Sequence, residues 1–134
     1  MTEQGLKQRT KAFALRVIKL VNSLSRSETA RVLGNQLLRS GTSVGANYRA
    51  ACRARSTAEF ISKLNVAEEE ADESSYWMEL ITESGLMKQK RMISLMREAE
   101  ELTAILAASI ITASKHKSRS NSYKSQITNH KSKK

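Results

Sequence analysis

Apolar residues recur along the chain at spacings of three, four and seven, in four stretches separated by short polar segments. Such spacing places them on one side of an α-helix, so each stretch is predicted to be helical. The predicted helices cover about residues 4–24, 26–54, 57–84 and 88–113. Because every connection is short, consecutive helices must run antiparallel. The pattern therefore predicts an all-α fold, an antiparallel up-down-up-down four-helix bundle over residues 1–113.

Each predicted helix has one apolar face that would form the core of the bundle. In chain order, these faces consist of Leu6, Phe13, Val17, Leu20 and Leu24, then Leu33, Leu37, Val44, Tyr48 and Ala51, then Phe60, Leu64, Ala67, Ala71, Ser74, Met78 and Ile81, and finally Met92, Leu95, Ala99, Leu102, Leu106 and Ile110.

Local signals mark where the helices begin and end. Ser25 with Glu28, and Ser56 with Glu59, have the spacing of capping boxes, in which serine accepts an early amide and glutamate reaches back. They are predicted to open the second and third helices. Gly85, followed by Leu86, is predicted to end the third helix in a Schellman-like stop.

A pair of glycines in the second helix predicts an unusually close helix contact. Gly41 and Gly45 stand four residues apart, so they lie one above the other and leave a groove free of side chains. Ala67 and Ala71 have the same spacing, and antiparallel pairing of the second and third helices would place them opposite the glycines. The alternative is that the glycines mark a break in the helix.

The same antiparallel register brings charged residues together. It pairs Arg39 with Glu73 and places it within a turn of Glu70. A guanidinium can hold carboxylates at two points, which would fix the register of the two helices. Arg39 is therefore predicted to be structural.

The run QLLRSGTSVGANYRAACRARS, followed by EFISKLNVA and ESSYWMEL, resembles the four-helix-bundle proteins encoded in intervening sequences of bacterial 23S ribosomal RNA genes. The likeness covers roughly residues 8–112. It implies a ring-shaped homopentamer, with a biochemical role that is poorly defined for the family. The accessory proteins of diversity-generating retroelements are a related group. Resemblance to them implies a basic pentamer that binds nucleic acid and a reverse transcriptase.

Some apolar residues fall outside the predicted core. At about 100° per residue, Leu15 and Ile18 lie away from the stripe of the first helix. They are predicted to form a second apolar face that a neighbouring subunit covers. Trp77 is the sole tryptophan, and its apolar neighbours favour burial at a helix or subunit contact over stacking on a nucleic-acid base.

Positive charge is concentrated near the end of the chain. The net charge is +10, yet residues 1–114 contain 16 basic and 13 acidic residues, a net charge of +3. From Lys115 onward there are seven basic residues and no acidic one. Residues 114–134 repeat Lys-Ser every seven residues with few apolar positions, which predicts a disordered basic tail. The tail is either an arm that binds nucleic acid or an incidental solvated extension.

The bundle also has candidate phosphate-binding residues. One predicted cluster, near the end of the second helix, contains Arg49, Arg53, Arg55 and Lys63, and a second set along the first helix contains Lys7, Lys11, Arg16 and Lys19. Repeated by the symmetry of a ring, such patches predict sequence-independent binding of RNA or DNA. The alternative is a structural or protein-interaction module whose charge matters only for solubility.

Nothing in the pattern predicts an enzyme. Both histidines lie in the predicted tail, which excludes the Glu-x-x-His motifs of di-iron bundles, and no glycine-rich phosphate loop occurs. No catalytic residue, metal ligand or cofactor is expected. The one cysteine, Cys52, is predicted to pack inside the second helix and fits a reducing cytoplasm. No apolar run is long enough to span a membrane.

Overall fold

The computed structural model describes the backbone of residues 1–132 and the side chains of residues 1–119. It contains α1 (Glu3–Asn22), α2 (Glu28–Cys52), α3 (Thr57–Glu83) and α4 (Gln89–Ser132). Between residues 1 and 132 there is no strand. Consecutive helices pack against each other, and α1 and α4 also meet, but with far fewer contacts. The predicted all-α four-helix bundle is confirmed.

The core follows the predicted faces closely. Most of the predicted residues are buried, and Met87 in the turn before α4 joins them. Five predicted core residues are only partly buried: Leu20, Leu24, Leu33, Phe60 and Ile110. Two polar residues, Ser40 and Ser74, are also buried where α2 meets α3. Their hydroxyl groups are hydrogen-bonded to each other at 3.0 Å, so both have a partner away from water.

The predicted start of α2 is wrong by two residues. Ser27, not Ser25, is the N-cap, and its hydroxyl accepts from the backbone N–H of Ala30 at 3.0 Å. Glu28 is thus the first helical residue and pairs with Arg31 in the first turn. A carboxylate there favours the positive end of the helix dipole, so Glu28 supports the start of α2 without closing a capping box.

Ser56 is the N-cap of α3, as predicted. The Ser56 hydroxyl accepts from the N–H of Glu59 at 3.1 Å. The Glu59 carboxylate reaches back one residue further than a capping box requires, because it accepts from the N–H of Arg55. The serine therefore caps the helix, and the glutamate holds the preceding turn.

The predicted Schellman stop at the end of α3 is confirmed. Gly85 has a φ of 80°, a conformation that glycine adopts without a Cβ penalty. Its N–H donates to the carbonyl of Thr82, and the N–H of Leu86 donates to the carbonyl of Ile81. These two bonds satisfy carbonyls that a helix end would otherwise leave free.

The glycine pair of α2 faces α1, which corrects the predicted partner helix. A Cβ built on Gly41 would lie 2.8 Å from Cγ2 of Val17, and one on Gly45 would lie 3.2 Å from Oγ1 of Thr10. Gly41 follows Ser40, which faces α3, and one residue turns a helix by about 100°. α2 therefore presents Ser40 to α3 and the glycines to α1. The alternative of a helix break is also wrong, since α2 is continuous from Glu28 to Cys52.

The described backbone differs from the predicted disordered tail. α4 continues from Gln89 to Ser132, well past the predicted end at residue 113. After Gly85 the sequence has no glycine or proline that would stop a helix. Residues 133 and 134 lie outside the described part, as does the side chain of His130. The division of the chain at residue 113 stays a prediction.

Candidate nucleic-acid interface

A groove runs between α1 and α2 where the two helices approach closely. Gly45 and Thr10 lie in it, and the short distance between them follows from the missing Cβ of the glycine. Residues four apart on each helix reach the groove from opposite sides: Lys7 and Lys11 from α1, and Arg49 and Arg53 from α2. The structure thus brings together four of the eight predicted phosphate-binding residues.

The electrostatic character of this groove is uniformly positive. Its volume is about 580 Å³, and the residues that line it include two glutamines but no acidic and no aromatic side chain. Lys7 has a carboxylate neighbour, Glu3, at 3.6 Å on the same helix. Within the described residues, Lys11, Arg49 and Arg53 make no ion pair. These three cations are therefore free to meet an external anion.

The other basic residues of α1 lie in a different place. Arg16 and Lys19 line a shallow groove between α1 and α4, together with Arg91. Arg16 donates from Nη2 to the Ser94 hydroxyl at 2.9 Å. The predicted basic strip along the first helix is therefore divided between two grooves.

The predicted cluster at the end of α2 is also divided. Arg55 lies in the turn after α2 and lines an open cavity at the end of the bundle. Lys63 is half-buried on α3 and lines neither that cavity nor the groove between α1 and α2. Only Arg49 and Arg53 of this cluster join the basic groove.

Arg39 has the contacts that the sequence predicts. Its Nη1 lies 3.3 Å from Oε2 of Glu70, and its Nη2 donates to the carboxylate of Glu73. Glu73 also accepts from Nε1 of Trp77 at 3.2 Å. Arg39 therefore bridges two carboxylates of α3. Ala67 and Ala71 are fully buried on the same helix, although the glycines do not face them.

A second structural arginine, Arg9, is not among the residues that the sequence singles out. Arg9 donates to both carboxylate oxygens of Glu98, from Nε at 2.8 Å and from Nη2 at 2.7 Å, and Nη2 also bonds Glu101. The hydrogen bonds from Arg9 lower the pKa of Glu98. Glu98 and Glu101 are three residues apart, so they share a face of α4. From sequence, this spacing marks a pair of carboxylates that could accept hydrogen bonds, but it does not show which helix supplies the donor.

Cys52 and Tyr48 line the cavity at the end of the bundle, where a thiol and a phenol could in principle react with a bound molecule. Burial raises the pKa of the Cys52 thiol and of the Tyr48 hydroxyl above their usual ranges. A thiol with a raised pKa is mostly protonated at neutral pH and is a poor nucleophile. Among the described residues no group of acidic, histidine or cysteine side chains could hold a metal ion.

Two of the three predicted subunit-interface residues are exposed. Leu15 is 59% exposed and Ile18 is 37% exposed. Trp77 instead packs partly against the core of its own chain and meets the ring of Tyr76 edge-on at 5.2 Å between centroids. The exposed apolar residues on α1 are thus observed, whereas Trp77 also has an internal role.

No helix in the described part of the chain has both the length and the apolar character needed to cross a bilayer.

Comparison with known proteins identifies the family. The model of the family described as 23S rRNA-intervening sequence protein matches residues 3–108. The chain belongs to this family. A solved structure is also similar: the 1.70 Å crystal structure of a protein with unknown function from the S23 ribosomal protein family of Bacteroides thetaiotaomicron VPI-5482. It is 36% identical, with a TM-score of 0.77, and the match covers 82% of this chain and 98% of that chain.

No curated protein matches the sequence at a significant level. Neither the 23S rRNA-intervening sequence family nor the solved neighbour indicates a catalytic activity. The family match includes the whole of α1, α2 and α3 but ends at residue 108, within α4. The basic C-terminal part of α4 therefore lies outside the matched residues.

Proposed function

We propose that this protein is a non-enzymatic, homo-oligomeric helical bundle that binds the phosphate backbone of nucleic acid in the groove between α1 and α2. The observation that carries the proposal is the meeting of Lys7, Lys11, Arg49 and Arg53 in one groove without an acidic lining residue. Lysine and arginine side chains are the usual contacts to phosphate oxygens.

The lining also indicates how the nucleic acid would be recognised. Base stacking needs aromatic side chains, and none lines this groove. Contacts to phosphates alone fix position but carry no sequence information. The proposal is therefore binding that depends little on sequence and strongly on salt, since each neutralised phosphate releases counterions.

Removing two groove charges tests this proposal. The double variant Lys11→Gln/Arg49→Gln should weaken binding to a short DNA duplex, because two of the unpaired cations are lost. We expect the slope of log K against log salt concentration to become shallower by about 1.8, at about 0.9 per phosphate contact. Fluorescence anisotropy at several salt concentrations measures it, with an RNA hairpin as a parallel probe.

A matched control removes the same charge outside the groove. Arg55→Gln/Lys63→Gln also deletes two positive charges, and it should leave the slope close to that of the parent protein. Equal weakening by the two double variants would show that net charge alone governs binding. Absence of binding by the parent at low salt would favour the alternative, a structural or protein-interaction module.

The second part of the proposal is self-association, as a ring-shaped homopentamer. The exposure of Leu15 and Ile18 on α1 supports it, because a neighbouring copy would remove this apolar surface from water. A ring requires two different faces of the chain to meet, which is a heterologous contact that closes. A reverse transcriptase as a further partner stays a prediction of the sequence resemblance.

A charge placed on this apolar face tests the association. Leu15→Glu should shift the protein from five copies of the 15.0 kDa chain toward the monomer, since a buried unpaired carboxylate is costly. Light scattering after size-exclusion chromatography reports the mass. Ile93→Glu is the control, because Ile93 on α4 is as exposed as Ile18. A parent protein that is monomeric at micromolar concentration would contradict the ring.

A further inference from the structure

The C-terminal part of α4 extends beyond the packed bundle. Among the side chains that the structure describes, up to Arg119, the last fully buried one of α4 is Leu106, and Ile110 is the last apolar one that packs against the core. Ile111 is 57% exposed, and between it and Arg119 no described side chain is buried. Residues 111–132, here called the α4 arm, would be about 33 Å long at 1.5 Å per residue.

The charge of the arm is one-signed. Lys115, Lys117 and Arg119 are basic, and no acidic residue follows them to the end of the chain. The Lys-Ser pair recurs at positions 117, 124 and 131, so basic positions continue along the length of the arm. A helix without acids gains nothing from the i,i+4 ion pairs that stabilise exposed helices. A bound polyanion would supply the negative charges that the arm lacks and would pair with its basic side chains.

The composition of the arm favours nucleic acid over a membrane surface. A helix that lies on a membrane needs a continuous apolar face as well as basic residues. From Lys115 onward the only large apolar residues are Tyr123 and Ile127. Such a sequence offers charge to a polyanion but too little apolar surface to enter lipid.

The arm lies beyond the part of the chain that the family model matches. The family match ends at residue 108, and the solved neighbour, although matched over 98% of its length, covers only 82% of this chain. The arm therefore has no counterpart in these two matches.

We propose that the α4 arm is a second nucleic-acid contact, in which Lys115, Lys117 and Arg119 bind phosphates of the same strand or duplex that occupies the basic groove. This inference rests on the proposed function, because it assigns the same ligand to a second element. Its consequence is that part of the salt dependence of binding arises outside the bundle.

The test compares two charge-matched triple variants of the full chain. Lys115→Gln/Lys117→Gln/Arg119→Gln removes three charges from the arm. Lys88→Gln/Lys90→Gln/Arg97→Gln removes three from the exposed N-terminal half of α4 and its preceding turn. With a short DNA duplex, we expect the arm variant to make the salt slope shallower by about 2.7, and the control to retain the parent slope.

The outcomes separate the arm from the groove. An arm variant with the parent slope overturns the arm inference, and it leaves the proposed function intact if Lys11→Gln/Arg49→Gln still reduces the slope. An arm effect without a groove effect overturns the groove as the site and, with it, the arm as a second contact to a ligand held there. Equal slopes for the arm and control triples overturn the arm inference, because charge at any place on α4 would then suffice. Vesicles of anionic lipid that bind the parent as tightly as the duplex would likewise overturn it.

Discussion

Replacing Gly41 with leucine is expected to destabilise the protein by about 3 kcal/mol or more, as overpacked cores do. The reason is the contact between α1 and α2. Even a single Cβ at this position would lie 2.8 Å and 2.9 Å from the two methyl groups of Val17, which is itself fully buried. A leucine side chain must push α1 away from α2. Urea denaturation followed by circular dichroism measures the loss in free energy of unfolding.

Two further variants identify the cause. Asn35→Leu puts the same side chain on an exposed position of α2 and should cost little, because leucine is a good helix former. Val17→Ala makes room opposite Gly41, so the Gly41→Leu/Val17→Ala double variant should be less destabilised than the sum of the single variants. Additive effects would show that Gly41 and Val17 do not share the contact described here.

The second large effect is expected from Arg9→Gln, which should lower the free energy of unfolding by about 2 kcal/mol, the range for hydrogen bonds to charged groups. The side chain of Glu98 is only 16% exposed, and the change removes its two hydrogen bonds to the guanidinium. The partly buried carboxylate then keeps only the weaker electrostatic effect of Arg16 and has no hydrogen-bonded cation. Because α1 and α4 otherwise touch little, this ion pair is a main link between them.

The pH dependence of this effect has a definite sign. The pKa of Glu98 is lower in the folded protein than in the unfolded chain, where a glutamate has a pKa of about 4.3. The contribution of the pair is therefore complete above that unfolded pKa and is lost as the pH falls through the lower folded pKa. The difference in unfolding free energy between the parent and Arg9→Gln should shrink over this acidic range.

Glutamate variants act as controls for Arg9. Glu101→Gln should cost less than Arg9→Gln, since the side chain of Glu101 is 64% exposed and exposed ion pairs contribute about 0–1 kcal/mol. Arg9→Gln/Glu98→Gln should recover part of the stability that Arg9→Gln loses, because no unpaired carboxylate remains. If the stability of Arg9→Gln equals that of the parent at neutral pH, the pair does not hold α1 to α4.

The helices and the core could be predicted because a 3.6-residue repeat of apolar positions depends only on local sequence. The register of α2 against α3 could also be predicted, since charge complementarity restricts which positions can face Arg39. The cap of α2 could not, because Ser25 and Ser27 are both good N-caps and only the packed turn distinguishes them.

The partner of the glycines was mispredicted for a similar reason. Small residues occur at helical spacing both on α3, at Ala67 and Ala71, and on α1, at Thr10 and Ala14. The spacing of Gly41 and Gly45 fits either helix, and the choice depends on how α2 is rotated in the bundle. That rotation also decides the site, because it places Arg49 and Arg53 opposite Lys7 and Lys11. From sequence, Arg9 resembles these lysines, yet it faces α4.

The length of α4 has a consequence for an assembly. Cyclic symmetry would carry every copy of the arm to the same side of a ring, so that one long polyanion could engage several arms at once. Each engagement would raise the effective concentration of the next, and overall avidity could exceed the strength of a single arm by orders of magnitude. Long nucleic acids would then be retained far better than short fragments of identical composition.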